Sequence, residues 1–340
     1  MRKLEFIIRR LLSSIIVLIG VSMITFSLAR VIPSNAAVLY IGPRARPEDI
    51  ERVTKQLGLD RPLPVQYAIY MRDLLHGDMG VSIATKRPIL QEITERAPAT
   101  LELLIVGMSM AVLIGVPLGV ISARWQGTPI DSATRTISII GVSIPAFFLG
   151  LVLQVIFFRH LNWLPLTGQL NSDLRFISPV EQITNFLIVD ALITKNWIAF
   201  KDSVYHIILP AITLAAYPMG LIARMTRASM LEALEQDYIR TARAYGIKDH
   251  IVIYVYALKN AISPTLTVIG LTVAFALTGT FFVEIIFTWP GLGLFTVNSL
   301  LNVDYPAIMG MTLFGATAYV LINTAVDLLQ AAIDPRISLK

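Results

Sequence analysis

Long stretches with few or no charges recur along this chain, and each is long enough to cross a membrane. A helix rises about 1.5 Å per residue, so roughly 20 apolar residues traverse the ~30 Å of hydrocarbon in a bilayer, where no water satisfies an unpaired backbone group. Six such windows run approximately over Leu11–Ala29, Leu103–Ala123, Thr136–Phe158, Val204–Ala223, Ala261–Phe287 and Pro306–Ile333. Composition agrees: of 340 residues, 55% are hydrophobic and 15% charged, more apolar than a soluble domain of that length. The expected fold is an all-α integral membrane protein with six transmembrane helices packed as a single domain over 11–340. Pro117, Pro145, Pro210 and Pro218 fall inside windows, which a packed bundle tolerates when neighbours satisfy the freed carbonyls. The first window is longer than a usual export-signal core and no small-x-small cleavage site clearly follows, so it reads as a retained span.

Charge sets the expected orientation. Four basic residues in "MRKLEFIIRR" precede the first window, which places residues 1–10 in the cytoplasm. Six crossings then put about 124–135, about 224–259 and 334–340 inside, with both termini cytoplasmic. The inside segments carry net +7 and the outside segments, about 30–97, 159–203 and 288–305, carry net +1. The long 30–97 loop counts for little, since loops above roughly 60 residues cross whatever their charge. A seventh span over "NFLIVDALITKNWIAF" (185–200) is rejected. Asp190 and Lys195 would each cost on the order of 2.5–3.5 kcal/mol near a bilayer centre, and the crossing would move the basic 224–259 segment outside.

In the first outside loop, "RPEDIERVTKQLG" predicts a helix with Pro47 at its start, Ile50, Val53 and Leu57 on one face, and Gly58 as stop. "VQYAIYMRDLLHG" predicts a second helix closing at Gly77; together they suggest a small extracytoplasmic cap, although a plain spacer is also compatible. The 159–203 loop, with Trp163 and Trp197, reads as irregular and partly interfacial.

The inside segment "EQDYIRTARAYGIKDH" (235–250) is charged and helix-prone between two apolar runs. Leu231, Leu234, Tyr238, Ala242 and Tyr245 recur at helical spacing, and Gly246 supplies a residue type suited to a left-handed helix end. A helix lying on lipid, a solvated loop and a peg that docks on another protein all fit that pattern.

The same residues carry a resemblance. Tyr238-Ile239-Arg240-Thr241-Ala242-Arg243-Ala244-Tyr245-Gly246 is similar to the cytoplasmic loop of ATP-binding-cassette importer permeases, most of all the B-type subunit of dipeptide and oligopeptide permeases. "LGLDRPLPVQY", "HGDMGVSI", "APATLEL", "ARMTRASMLEAL", "FVEIIFTWPGLG", "VDYPAIMG" and "DLLQAAIDPRIS" extend it over nearly the whole chain. Arg240-Thr241-Ala242 stands where the general importer pattern has Glu-Ala-Ala. Tyr245 stands where the subfamily often has Lys, and Lys259 where the general pattern has Pro. The resemblance implies the type I importer permease arrangement and a coupling helix, with Leu234, Tyr238, Arg240, Thr241, Ala242, Arg243 and Gly246 meeting an ATPase subunit. It also implies the partners: a second homologous permease, two ATP-binding subunits, an extracytoplasmic substrate-binding protein and the bilayer, with no nucleic acid. No cofactor or metal is expected in this chain, since ATP and Mg belong to the ATPase subunits. Permeases of this subfamily carry dipeptides, oligopeptides, nickel complexes, glutathione or oligosaccharides.

Chemistry-bearing motifs point the same way. The sequence has no Gly-Lys dipeptide for a phosphate-binding loop and no cysteine, and His76, His160, His206 and His250 are scattered, so no enzyme is expected. A secondary transporter or channel powered by an ion gradient would instead place buried acids or broken helices near mid-span, and an intramembrane enzyme would need a nucleophile and base within hydrogen-bond reach. Glu284 and Trp289, at the outer end of the fifth window, are candidates for the pathway or its gate, although an interfacial place suits Glu284 as well. Glu102 reads as an interfacial end residue, Asp327 as an inner-surface ion-pair partner, and Arg224 and Arg227 as snorkelling anchors.

Overall fold

The computed structural model describes residues 2–31, 38, 46–56 and 58–333. Among these the chain is nearly all helix, with one isolated β-bridge between Val81 and Pro88. In chain order the helices are α1 (Arg2–Val31), α2 (Pro47–Gln56), α3 (Leu63–Leu75), α4 (Ile89–Arg124), α5 (Pro129–Ser143) and α6 (Ala146–Leu153). They continue with α7 (Leu187–Ile193), α8 (Trp197–Leu234), α9 (Asp237–Ala244), α10 (Leu258–Ile286), α11 (Leu292–Leu301) and α12 (Tyr305–Ile333). Single turns lie at Leu174–Ile177 and Asp249–Ile251, and π-helical stretches at Gln154–His160 and Val252–Ala257.

Among the described residues five helices are long and apolar enough to span: Leu12–Arg30, Ile89–Arg124, Trp197–Leu234, Asp249–Ala276 and Tyr305–Val326. The third predicted span differs from expectation. It is a pair, α5 and α6 with the π stretch, bent by 107°, and counts as a sixth crossing if the pair is one broken span. Pro145 causes the break. Proline disfavours helical geometry in the residue before it, and Ile144 is extended at φ −82°, ψ 125°. Pro117, Pro210 and Pro218 sit within continuous helices. The 185–200 segment is not a span. It forms α7 and the start of α8, so the loop expected to be irregular is partly helical. Asp190 is buried there and accepts from the N–H groups of Ile183, Thr184 and Asn185 and from the Thr184 hydroxyl. Burial alone would raise its pKa, but these donors outweigh burial and hold the carboxyl below its usual range.

The chain divides into two compact units, residues 1–97 with 291–321 and residues 98–290 with 322–340. In the first, α3 packs on α1 through Phe26, Tyr67 and Tyr70, and the Tyr67 hydroxyl bonds Ser22 at 2.8 Å. Asp304 caps the start of α12 by accepting from Ala307 N–H. It also accepts from the Ser82 hydroxyl at 2.5 Å and from Ala84 N–H. The two helices predicted between residues 46 and 77 are present as α2 and α3; Leu57 of the predicted α2 face lies outside the described residues.

In the second unit α8 is the central element, packed chiefly on α10 and α5. Close approach between helices depends on small residues, as in other membrane bundles. A Cβ on Gly119 would sit 2.5 Å from Thr226 Cβ and 2.6 Å from the Ala223 carbonyl of α8. Gly119→Val is therefore expected to destabilise the subunit by about 1–3 kcal/mol through overpacking. Gly20→Ala, with nothing within 4 Å of its Cβ, is expected to be silent. Thermal unfolding of the two variants in detergent checks this; equal midpoints would contradict it.

Candidate functional site

The charged stretch 235–250 folds differently from one continuous helix. α8 ends at Leu234, Glu235 and Gln236 form a turn, and α9 runs from Asp237 to Ala244. Its buried face is consequently Ile239 and Ala242, at 0% and 6% exposure, rather than the predicted Tyr238–Ala242–Tyr245 line. Breaking the helix at Glu235 resets the angular register, so residues on either side no longer share a face. Ile239 stands five residues after Leu234 and one after Tyr238, off the Leu234–Tyr238–Ala242 stripe of an unbroken helix, so helical spacing alone does not single it out.

Ile239 and Ala242 join a cluster with Val120 and Ala123 of α4, Met230 and Ala233 of α8, Val252, Ile253 and Ala257 of the π stretch, and Ala261 of α10. Leu234 is half-buried against the same cluster. The short helix is thus seated on the ends of three long elements. Two ion pairs flank it: Asp249 lies 3.2 Å from Arg124 and 4.0 Å from Arg243.

The opposite face is open. Tyr238, Arg240, Thr241, Arg243, Ala244 and Tyr245 are exposed, Tyr245 at 83%. Tyr238 keeps one partner, its hydroxyl accepting from Asn260 Nδ2 at 3.1 Å. Gly246 ends the helix with φ +71°. Gly246 N–H donates to Arg243 O at 2.9 Å and Ile247 N–H to Ala242 O at 3.2 Å, the paired bonds of a Schellman cap, with Ile247 packed on the same apolar cluster. A Cβ at Gly246 would meet nothing within 4 Å, so the glycine is required by backbone conformation and not by space within this chain.

Behind this site, Asp131 at the start of α5 is 1% exposed and bidentate with Arg227 of α8, at 2.9 and 3.0 Å. Ser122 Oγ and Gly127 N–H donate to the same carboxylate. Arg227 is thus an ion-paired strut between two helices, where snorkelling had been expected. The 96-residue separation between the partners hid the pair from sequence reading.

Glu284 and Trp289 both lie in the interior of the second unit. Glu284 is fully buried and accepts from Thr100 Oγ1 at 2.7 Å; Trp289 is 1% exposed and its indole N–H donates to Ala99 O at 2.8 Å. Neither reaches the protein surface in this conformation. Glu102 is also buried within the protein, accepting from Ile188 N–H at 2.8 Å and from Gln169 Nε2 at 3.3 Å, both on the 159–203 loop. The side chain of Asp327 and all of 334–340 lie outside the described residues. Among the described residues no group of three or more His, Cys, Asp or Glu could hold a metal ion.

Comparison with known proteins covers both parts of the chain. Residues 115–339 match the family described as "Binding-protein-dependent transport system inner membrane component", and residues 3–104 match the N-terminal part of such membrane components. The probable D,D-dipeptide transport system permease protein of Escherichia coli (strain K12) is 45% identical over 95% of this chain and 94% of its own length. The dipeptide transport system permease protein of Alkalihalophilus pseudofirmus is 44% identical over 98% and 99%. The glutathione transport system permease protein of Pectobacterium atrosepticum is 37% identical over 99% and 100%.

Proposed function

We propose, for a chain that belongs to the family of binding-protein-dependent transport system inner membrane components, that α9 is the element by which a foreign ATPase drives it. The chain is a multi-pass permease component of an ATP-binding-cassette transport system. In the proposed assembly it forms half of a translocation pathway with a second permease. Two ATP-binding subunits dock from the cytoplasm, and a binding protein delivers cargo outside. ATP and magnesium would be held by the ATP-binding subunits. The leading cargo is a di- or oligopeptide, since the more similar of the relatives are named for dipeptide transport; glutathione, itself a small peptide, is the second choice.

One observation carries the reading: α9 is anchored on one face by Ile239 and Ala242 while Arg240, Thr241, Arg243 and Tyr245 on its other side are solvent-exposed. A helix gripped on that open face would move as a rigid body with the ends of α4, α8 and α10, because the cluster beneath it is close-packed. Glu284 and Trp289 could join the pathway only in another state of the cycle, one that exposes them.

The chain contains no cysteine, so a single introduced thiol reports without background. Tyr245→Cys is expected to react with an impermeant maleimide in inside-out vesicles and not in intact cells. Adding the ATP-binding subunits should protect it. Labelling from outside would end both the topology and the docking proposal.

A further inference from the structure

A cavity of about 340 Å³ opens among α4, α5 and α8 of the second unit, on the same side of the bundle as α9. Its walls are largely apolar, with Leu118, Ile139 and Val142 prominent, and three guanidinium groups line it: Arg135, Arg224 and Arg227. Among the described residues no carboxylate lines the cavity. Asp131 lies behind it and neutralises one cation. Arg227 takes it bidentately and Arg135 approaches it at 3.5 Å. Arg224 is exposed, with no carboxylate in ion-pairing distance among the described residues. Three cations against one anion leave an excess of positive charge beside an apolar cleft.

We propose that this cavity seats the phosphate and first acyl carbons of an anionic phospholipid from the leaflet that faces the ATPase side. The guanidinium fork matches a phosphate in geometry as well as charge, and basic pockets between spans on the cytoplasmic side have the chemistry for such headgroups. Free phosphate would leave the apolar walls uncovered. A dipeptide brings an ammonium group, and Asp131, the one nearby carboxylate among the described residues, is already committed to Arg227. A lipid has the anion and the tail and lacks the awkward cation only when its headgroup is itself anionic. The cytoplasmic placement rests on the topology proposed above; the binding does not, so the two can fail separately.

The test uses the assembled transporter purified in detergent and supplied with phosphatidylglycerol or phosphatidylcholine, with bound lipid read by native mass spectrometry. Phosphatidylglycerol should be retained about tenfold over phosphatidylcholine, and Arg224→Ala should lower that preference about fivefold, as one basic contact contributes. Arg224→Lys should restore part of it. Ala228→Phe, which fills the cavity and leaves every charge in place, should remove retention. Equal retention of the two lipids, or retention indifferent to both Arg224→Ala and Ala228→Phe, would overturn the proposal. So would displacement of the lipid by inorganic phosphate alone, which would mark a free-anion site, or by a dipeptide, which would mark a cargo site.

Discussion

Gly246→Val is expected to abolish ATP-driven uptake while leaving the subunit in the membrane at its normal amount. Within the chain, an L-residue at φ +71° costs about 1–2 kcal/mol, and a β-branched one more, yet the added atoms meet no neighbour. That is enough to fray the Schellman cap but too little to unfold a bundle whose core is elsewhere. The larger effect comes from outside: the side chain would project from the open face of α9 into whatever grips it. Two further variants separate the contributions. Gly246→Asn tolerates the left-handed conformation, so it relieves most of the strain and keeps the bulk. Gly246→Ala adds the least bulk and keeps the strain. If docking is the cause, Asn should lose uptake and co-purification with the ATP-binding subunits nearly as fully as Val, and Ala should lose less. If strain is the cause, the order reverses. Uptake assays with quantified membrane levels decide it, and normal uptake by Gly246→Val would remove the docking account.

What could be read in advance followed the range of the forces involved. The spans, the starts of α2 and α3 and the glycine stop at 246 are local. Apolar length, a proline at a first turn and a left-handed glycine act within a few residues of themselves: five of the six windows fall on continuous helices, α2 starts at Pro47 and Gly246 ends α9 at φ +71°. The bend at Ile144–Pro145 is also local in cause, but hydropathy averages over a window and cannot see it. The face of α9 was misread because two residues of turn at Glu235 and Gln236 shift every later side chain around the axis. Burial of Glu102, Glu284 and Trp289 was out of reach for another reason. Their partners are Ile188, Thr100 and Ala99, and only the packed bundle brings the two sides of these pairs together. The resemblance to importer permeases pointed to α9 without saying which of its residues face the chain and which face away.

Asp131→Ala is expected to be the most destabilising single change near the site. Asp131 is 1% exposed and answers four donors, from Arg227, Ser122 and Gly127. Its removal leaves the Arg227 guanidinium without a counter-ion at the α5–α8 contact. Breaking such a pair costs about 3–5 kcal/mol, and the lower end applies because Arg227 keeps 21% of its side-chain exposure and can turn toward water. For a unit of this size ~3 kcal/mol corresponds to a fall of roughly 6–12 °C in unfolding midpoint. Removing both charges with apolar residues of similar size, Asp131→Leu with Arg227→Met, should recover most of the loss, since neither ion then needs solvation. The recovery separates two roles. If the pair serves only to hold α5 against α8, uptake should return with stability in the double variant. If Arg227 also supplies charge to the cavity beside it, stability should return while the preference for phosphatidylglycerol does not, and a double variant that regains both would confine Arg227 to the strut.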